Sequence, residues 1–292
     1  MNTIEKHKIP SLLQLLIVLG YFLLLFVSSV FSESEGTTFD LSDSSILLAM
    51  KITQVVVVTL VFILPVNGFA YFFRAERMAF LNFKSISPLA LITSLTICIL
   101  ALPFINLLQE WNSNLHLPNQ WSGFEDWMRM KEDVAEAITN AFFVDKSISS
   151  FFVNLFVIAF MAALSEELFF RGLMQRLFID NKMNPHLAIW VTAILFSAIH
   201  VQFFGFAARM ILGAILGYLY LYSGTIWAPI LAHFMNNAFA VTLVHFAGLD
   251  INSQETDLSQ TVLISSAILS FSIVSFQLFY LRKSSKFIKD SH

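Results

Sequence analysis

Residues 164–172 read LSEELFFRG, so two adjacent carboxylates, Glu166 and Glu167, and one cation, Arg171, directly follow a long apolar run. Each ionisable side chain at the centre of a membrane-spanning helix costs about 2.5–3.5 kcal/mol on insertion scales. Such residues face a cavity or one another, and they mark functional sites by default. The alternative is a helix end at the headgroups, where charged side chains carry no such cost. The stretch alone leaves both interpretations open.

The composition around this stretch is that of a membrane protein. Of the 292 residues, 57% are hydrophobic and 13% are charged, whereas soluble domains carry about 25% charged residues. A membrane span needs about 20 mostly apolar residues. We therefore predict an all-α polytopic membrane protein with about eight transmembrane helices bundled around an intramembrane active site. The candidate spans, of which the sixth is short, are 11–31, 46–73, 88–109, 148–170, 187–204, 208–222, 226–247 and 261–281.

Three regions are predicted along the chain. Residues 1–147 hold the first spans and an amphipathic loop, 148–247 form the catalytic core, and 248–292 carry the last span and a basic tail. The single cysteine, Cys98, excludes a disulfide within the chain and any cysteine-based zinc site. The net charge of −3 comes without a basic block, so no nucleic-acid partner is expected.

The distribution of basic residues predicts the orientation in the membrane. Lysine and arginine concentrate in segments on the same side as the N-terminus, and the tail RKSSKFIK at 282–289 agrees with this bias. The positive-inside rule therefore places both termini in the cytoplasm and the loop at about 110–147 outside. Residues 124–143 of that loop have helical amphipathic spacing, which predicts a helix at the membrane surface or, equally, a solvated helical loop.

The spacing within the opening stretch suggests two different roles for its acids. Glu167 and Arg171 are four residues apart, so they share a helix face, and the acid comes first, which is the favourable order for an ion pair. Glu166 points about 100° away. The sequence therefore predicts that Arg171 clamps Glu167, while Glu166 stays free in a cavity.

Further polar residues lie at membrane depth in two other predicted helices. His200 ends the run LAIWVTAILFSAIH, and Phe196 comes one turn earlier, where it can pack against the histidine. His233 and Asn237 are four residues apart and face the same way. Taken singly, a histidine near a helix end is more often structural, and a buried amide more often joins two helices.

Two neighbours of His233 are also given predictions. Pro229 comes four residues earlier and is expected to kink the helix and to free a backbone carbonyl. Asn236 lies on the adjacent face of the helix and is expected to be a bystander.

Together, these residues bring a carboxylate, two imidazoles and an amide to three predicted helices. Such a set can hydrolyse an amide, because a carboxylate or imidazole takes a proton from water while an imidazole and an amide stabilise the oxyanion. Alternatively, His200, His233 and a glutamate hold Zn²⁺, which acidifies its bound water. Intramembrane Glu and His residues also mark proton-coupled transporters. Transporters usually carry paired repeats in both halves, whereas these polar residues cluster in one half.

Three short motifs, taken in order, resemble those of the CPBP family, which comprises CAAX-type prenyl-protein endopeptidases and bacterial Abi proteins and is called a family of intramembrane metalloproteases. They are EE-x-x-x-R (Glu166, Glu167, Arg171), F-x-x-x-H (Phe196, His200) and H-x-x-x-N (His233, Asn237). The resemblance covers roughly 150–247. It implies a bundle of eight helices in a lipid bilayer, expected in a bacterial inner membrane, with an active site that opens towards the cytoplasm.

The resemblance also implies roles for the residues. Glu166 and His200 would activate water, while His233 and Asn237 would stabilise the oxyanion or bind a metal, with Arg171 and its paired acid in support. If zinc takes part, His200 and His233 are its expected ligands. The implied substrate is a membrane-associated protein or peptide. The same fold also serves non-catalytic scaffolds and bacteriocin-immunity proteins, which remain alternatives.

Overall fold

The computed structural model describes residues 10–31, 43–74, 77–248 and 260–285, and within these ranges it contains helices and no strand. A short helix at Arg77–Phe80 joins the second and third long helices. The helices that form the bundle and its cover are α1 (Ser11–Phe31), α2 (Ser44–Phe73), α3 (Pro88–Ser113), α4 (Ser122–Phe142), α5 (Ile148–Asp180), α6 (Pro185–Ala198), α7 (Phe203–Ser223), α8 (Trp227–Ala247) and α9 (Gln260–Ser284).

The predicted all-α polytopic membrane fold is confirmed. Seven helices in the described ranges are long and apolar enough to cross a membrane, and α6 is a shorter apolar helix. The expectation that 208–222 is the short span is wrong, because α7 has 21 residues whereas α6 has 14. At about 1.5 Å per residue, α6 reaches only about 21 Å of the roughly 30 Å hydrocarbon core. His200 lies two residues beyond its end.

Helix α5 carries the acidic pair and has an irregular backbone. Its 33 residues begin at the cap formed by Ser147, whose side chain accepts from the backbone N–H of Ser150. Two π-helical stretches, Leu155–Met161 and Leu168–Gln175, flank the α-helical segment Ala162–Glu167. Such wide turns occur frequently at functional sites, and here they lie on both sides of the two carboxylates.

Small residues let α6 and α7 approach closely. A Cβ atom added at Gly213 would lie 3.3 Å from the Cα of Ala193, and one added at Gly217 would lie 2.9 Å from Cγ2 of Ile189. Glycines four residues apart on an apolar helix are a typical close-packing motif of membrane proteins. This close contact brings the backbone of α7 to the buried face of α5.

One end of the bundle is closed by apolar packing. Beside and beyond Arg171 along α5, Phe170, Leu173 and Leu177 are almost fully buried. The Phe170 ring meets Phe22 of α1 edge-to-face, with the ring centroids 6.3 Å apart. This packing fixes α5 against α1.

Helix α4 confirms the helix predicted at 124–143 and covers the start of α7. The ring centroids of Trp127 and Phe203 are 5.5 Å apart, and the guanidinium of Arg129 lies 4.3 Å from the centroid of Phe204. Glu132 accepts a hydrogen bond of 3.3 Å from the backbone N–H of Phe204. The helix is therefore fixed to the bundle by side-chain contacts. Its position on the membrane surface stays a prediction.

The kink expected at Pro229 is wrong. Helix α8 begins at Trp227, so Pro229 is its third residue. The first four N–H groups of a helix have no partner within it, and a proline there removes no hydrogen bond. His233 therefore lies on a regular helical segment, one turn further along.

Candidate active site

The acid and the arginine of the opening stretch form a buried ion pair. The Nη1 atom of Arg171 donates to Oε1 of Glu167 over 2.7 Å, and both side chains are fully buried. The Nη2 atom of Arg171 donates to the carbonyl of Gly213 over 2.8 Å. The Phe196 ring lies 4.7 Å from the guanidinium. The predicted clamp is therefore present.

The same carboxylate also holds His233. The Nδ1 atom of His233 lies 2.9 Å from Oε1 of Glu167. A carboxylate paired with Arg171 can only accept, so Nδ1 carries a proton in this contact. This hydrogen bond could not be predicted from local spacing, because its partners are 66 positions apart on α5 and α8. Glu167 therefore orients the imidazole as well as neutralising the arginine.

Glu166 differs from Glu167 in its exposure and in its charged partners. Its side chain is 17% exposed, whereas that of Glu167 is fully buried. Within the described ranges, its nearest charged partner is His233, with 3.9 Å between Oε2 and Nε2. As the spacing predicted, Glu166 points away from Arg171. The carboxylate faces the second nitrogen of the imidazole that Glu167 holds.

His200 is oriented so that one ring nitrogen stays available. Its Nδ1 atom lies 2.8 Å from the carbonyl oxygen of Phe196. A carbonyl only accepts hydrogen bonds, so Nδ1 carries the proton and the neutral ring keeps a lone pair on Nε2. The predicted packing is confirmed, since the Phe196 ring lies edge-to-face against His200 at 5.3 Å. It also meets His233 at 6.0 Å, so the two imidazoles flank one phenylalanine.

Asn237 is held by groups on two sides. Its Nδ2 atom donates to the carbonyl of Ile158 over 3.3 Å, and its Oδ1 atom accepts from Nδ2 of Asn236 over 3.1 Å. The expectation that Asn236 is a bystander is therefore wrong, because its side chain fixes the amide of Asn237. One N–H of the Asn237 amide remains for a further acceptor.

A glycine motif that sequence reasoning passed over supports the buried pair. Gly213 accepts from Arg171, and Gly217 accepts from Nε2 of the buried Gln175 over 3.2 Å. The donors Arg171 and Gln175 are four residues apart on α5, and the acceptors Gly213 and Gly217 are four residues apart on α7. One turn of α5 is therefore joined to one turn of α7 by two hydrogen bonds. The signal was present as Gly-x-x-x-Gly within an apolar run.

The described side chains do not fit a catalytic zinc site. No group of three or more His, Cys, Asp or Glu residues able to hold a metal occurs in the part of the chain that the structure describes. A catalytic zinc site needs three protein ligands and an open position. The described side chains do not form such a set, so the reaction proposed below uses no metal. Zinc binding by His200 and His233 stays a prediction that the metal content of active protein decides.

Comparison with known families agrees with the sequence motifs. A family model described as type II CAAX prenyl endopeptidase, Rce1-like, matches residues 148–239. The match begins at the first residue of α5 and includes every residue of the three motifs. It confirms the resemblance to CAAX-type proteases over this stretch, which is less than half of the chain. No curated protein and no solved structure matches the chain.

Proposed function

We propose that the protein is an intramembrane endopeptidase that hydrolyses a peptide bond of a membrane-associated protein or peptide. The family match supports CAAX-type proteolysis for residues 148–239. One observation carries the proposal further. At membrane depth, a partly exposed carboxylate, Glu166, lies beside an imidazole that is itself held by the buried Glu167–Arg171 pair. A group with no structural partner next to a rigidly supported one is a typical catalytic arrangement.

In the proposed reaction, water supplies the nucleophile. Glu166 or Nε2 of His200 accepts a proton from the water, and the water oxygen attacks the carbonyl carbon of the substrate. The tetrahedral intermediate then collapses, the C–N bond breaks, and the same proton passes to the leaving amine. The Nδ1 atom of His200 is bound to the Phe196 carbonyl, so if His200 is the base it takes the proton on Nε2.

The oxyanion of the intermediate needs donors at a fixed position. Asn237 offers its remaining N–H, while Asn236 and Ile158 keep the amide in place. His233 donates through Nε2 once that atom is protonated, and Glu167 keeps the ring oriented meanwhile. Preorganised donors of this kind are usually the largest single contribution to acyl-transfer catalysis.

The remaining parts of the proposal concern the whole chain. The multi-pass architecture is established by the seven long apolar helices. We place the catalytic core at 148–247, between the N-terminal region 1–147 and the region 248–292. A bacterial inner membrane with both termini in the cytoplasm is the proposed location. The expected partners are the lipid bilayer and the peptide substrate.

The experiment compares peptide termini in membranes that contain the wild-type chain, Glu166→Gln or Glu110→Gln. The last variant is a control, because Glu110 lies near the end of α3, outside the three motifs. We expect new termini with the wild type and the control that are missing with Glu166→Gln. Identical termini with Glu166→Gln would overturn the enzymatic proposal and favour a non-catalytic scaffold, an immunity protein or a proton-coupled transporter.

A further inference from the structure

Arg209 is a cation beside the site that the proposed reaction does not use. It lies on α7, and its side chain folds back over the turn that follows His200, where Nη2 donates to the carbonyl of Gln202. The guanidinium occupies the space above Gly205, since a Cβ added there would lie 2.8 Å from Nη1 of Arg209. The φ angle of −112° at Gly205 is open to any residue, so the glycine provides room for the guanidinium.

The guanidinium of Arg209 lies at a turn that Glu132 of α4 also binds, and it forms no ion pair with an acid in the described part of the chain. Arg209 interacts electrostatically with Glu132 of α4 and with Glu166 of the site. Neither carboxylate comes within the 4.0 Å of an ion pair in the described part of the chain. The Nε atom of Arg209 is buried and has no hydrogen-bond partner there. A buried donor without a hydrogen-bond partner is costly, and the Nε atom of Arg209 is therefore a donor that a ligand can use.

The surroundings of Arg209 indicate what that ligand is. Guanidinium groups bind carboxylates through two parallel hydrogen bonds. Glu132 and Glu166 together already exceed the single positive charge of Arg209, so a monoanionic carboxylate, which adds one negative charge, is favoured over a phosphate dianion, which adds two. Arg209 donates to the carbonyl of Gln202, two residues beyond His200, so a peptide bound at Glu166 and His200 lies beside this guanidinium.

We infer that Arg209 binds a carboxylate of the substrate, on the α4 side of Glu166, and thereby selects which peptides are cleaved. The inference rests on the proposed function. The carboxylate comes from the C-terminus of the peptide or from an Asp or Glu side chain. In both cases the contact fixes the distance between the bound charge and the bond presented to Glu166.

The first experiment measures binding without turnover. The full chain carrying Glu166→Gln is purified in detergent and titrated with a fluorescent apolar peptide in three forms, namely a free C-terminal carboxylate, a C-terminal amide, and the amide with one Asp. The three forms separate the two sources of the carboxylate. One charge-assisted contact predicts about 10- to 100-fold tighter binding of an acidic form over the plain amide.

The second step asks whether Arg209 causes the preference. In the Glu166→Gln background, Arg209→Gln should bind the acidic and amide forms equally, and Arg209→Lys should keep part of the preference. Gly205→Ala keeps the charge but displaces the guanidinium, so it should reduce the preference as well. A purely structural role of Arg209 would weaken all three peptides alike. Equal binding of all forms before the substitution, no binding of any form, or a preference that survives Arg209→Gln overturns the inference.

The third step separates this inference from the proposed function. Peptides that bind are incubated with the wild-type chain, and the products are identified by mass. Absence of any hydrolysis counts against the endopeptidase, whereas an Arg209-dependent acid preference in the binding experiment stands independently of it. With hydrolysis present, Arg209→Gln should raise KM for acidic peptides by about 10- to 100-fold and leave KM for the amide form unchanged.

Discussion

The two neighbouring glutamates of α5 are placed in opposite environments. Glu167 is fully buried between Arg171 and His233. Glu166, one position earlier, is partly exposed and makes no contact closer than the 3.9 Å to His233 among the described charged groups. A carboxylate that has its partners inside the protein stabilises the fold, whereas one without them is available to water and substrate. The comparison assigns structure to the first side chain and chemistry to the second.

The largest effect is expected at His200, which shares with Glu166 the proposed role of activating water. His200→Ala removes the ring nitrogen that keeps a free lone pair, and turnover should fall to background. The hydrogen bond lost with the ring is a single contact to the Phe196 carbonyl, so the melting temperature in detergent should change little. His186→Ala, at the start of α6, is the matched histidine control and should keep full activity. Full turnover by His200→Ala would remove this residue from the mechanism.

The next effect tests the buried side through stability. Arg171→Ala leaves Glu167 as an uncompensated buried charge and frees the Gly213 carbonyl. Removing one member of a buried pair typically costs about 3–5 kcal/mol, and thermal unfolding in detergent measures that loss. Arg282→Ala, near the end of α9, serves as the control with a small effect. An unchanged melting temperature for Arg171→Ala would contradict the structural role of the pair.

Contacts within one helix could be predicted from the sequence, whereas contacts between two helices could not. The pair of Glu167 and Arg171 was predicted because both residues lie on one helix, where a spacing of four fixes their contact. The bond between His233 and Glu167 joins two helices, and its existence depends on their relative rotation. Single-helix periodicity does not contain that information.

The errors have the same physical origin. Counting helix faces predicts no role for Asn236, yet its side chain donates a hydrogen bond to Oδ1 of Asn237. The length of α6 was overestimated because the apolar composition continues beyond Ala198 into the turn and the start of α7. Composition reports which residues prefer lipid, whereas the end of a helix depends on local backbone geometry. The fold class was therefore predictable, but the end of α6 was not.

Sidedness links the comparison to the membrane. Arg209 and Glu132 of α4 both bind the turn that follows His200. The basic residues predict that α4 is outside, whereas the family resemblance implies an opening towards the cytoplasm. Binding of a substrate carboxylate on the α4 side is compatible with only one of these two predictions. Labelling of a cysteine placed at Ser122 from each side of the membrane decides the orientation.

An effect of intermediate size is expected at Asn237, the proposed oxyanion donor. Asn237→Ala should lower kcat by about 10²–10³, which is the usual loss for one oxyanion donor. Asn236→Ala removes only the group that orients this amide, so its effect should be smaller and in the same direction. Steady-state kinetics of both variants provide the measurement. A larger loss for Asn236→Ala than for Asn237→Ala would reverse the assigned roles.

The smallest effect concerns packing behind the buried pair. In Gly213→Ala, the new Cβ would lie 3.1 Å from a Phe196 ring carbon and 3.3 Å from Ala193. Overpacking of this kind costs about 1–3 kcal/mol. Gly68→Ala is the matched control, since a Cβ there meets nothing within 4 Å. We expect lower thermal stability for Gly213→Ala alone, and equal stability of the two variants would show that α6 and α7 can separate without loss.

The most direct test of the central claim compares Glu166→Gln with Glu167→Gln in the purified chain. Each amide is nearly isosteric with the acid but cannot accept a proton in the same way. Melting temperature and turnover of one peptide substrate are measured for both variants. We predict that Glu166→Gln melts like the wild type and has no activity, whereas Glu167→Gln melts at a lower temperature because Arg171 loses its countercharge. Normal turnover by Glu166→Gln, or wild-type melting of Glu167→Gln, would contradict the division of roles between the two acids.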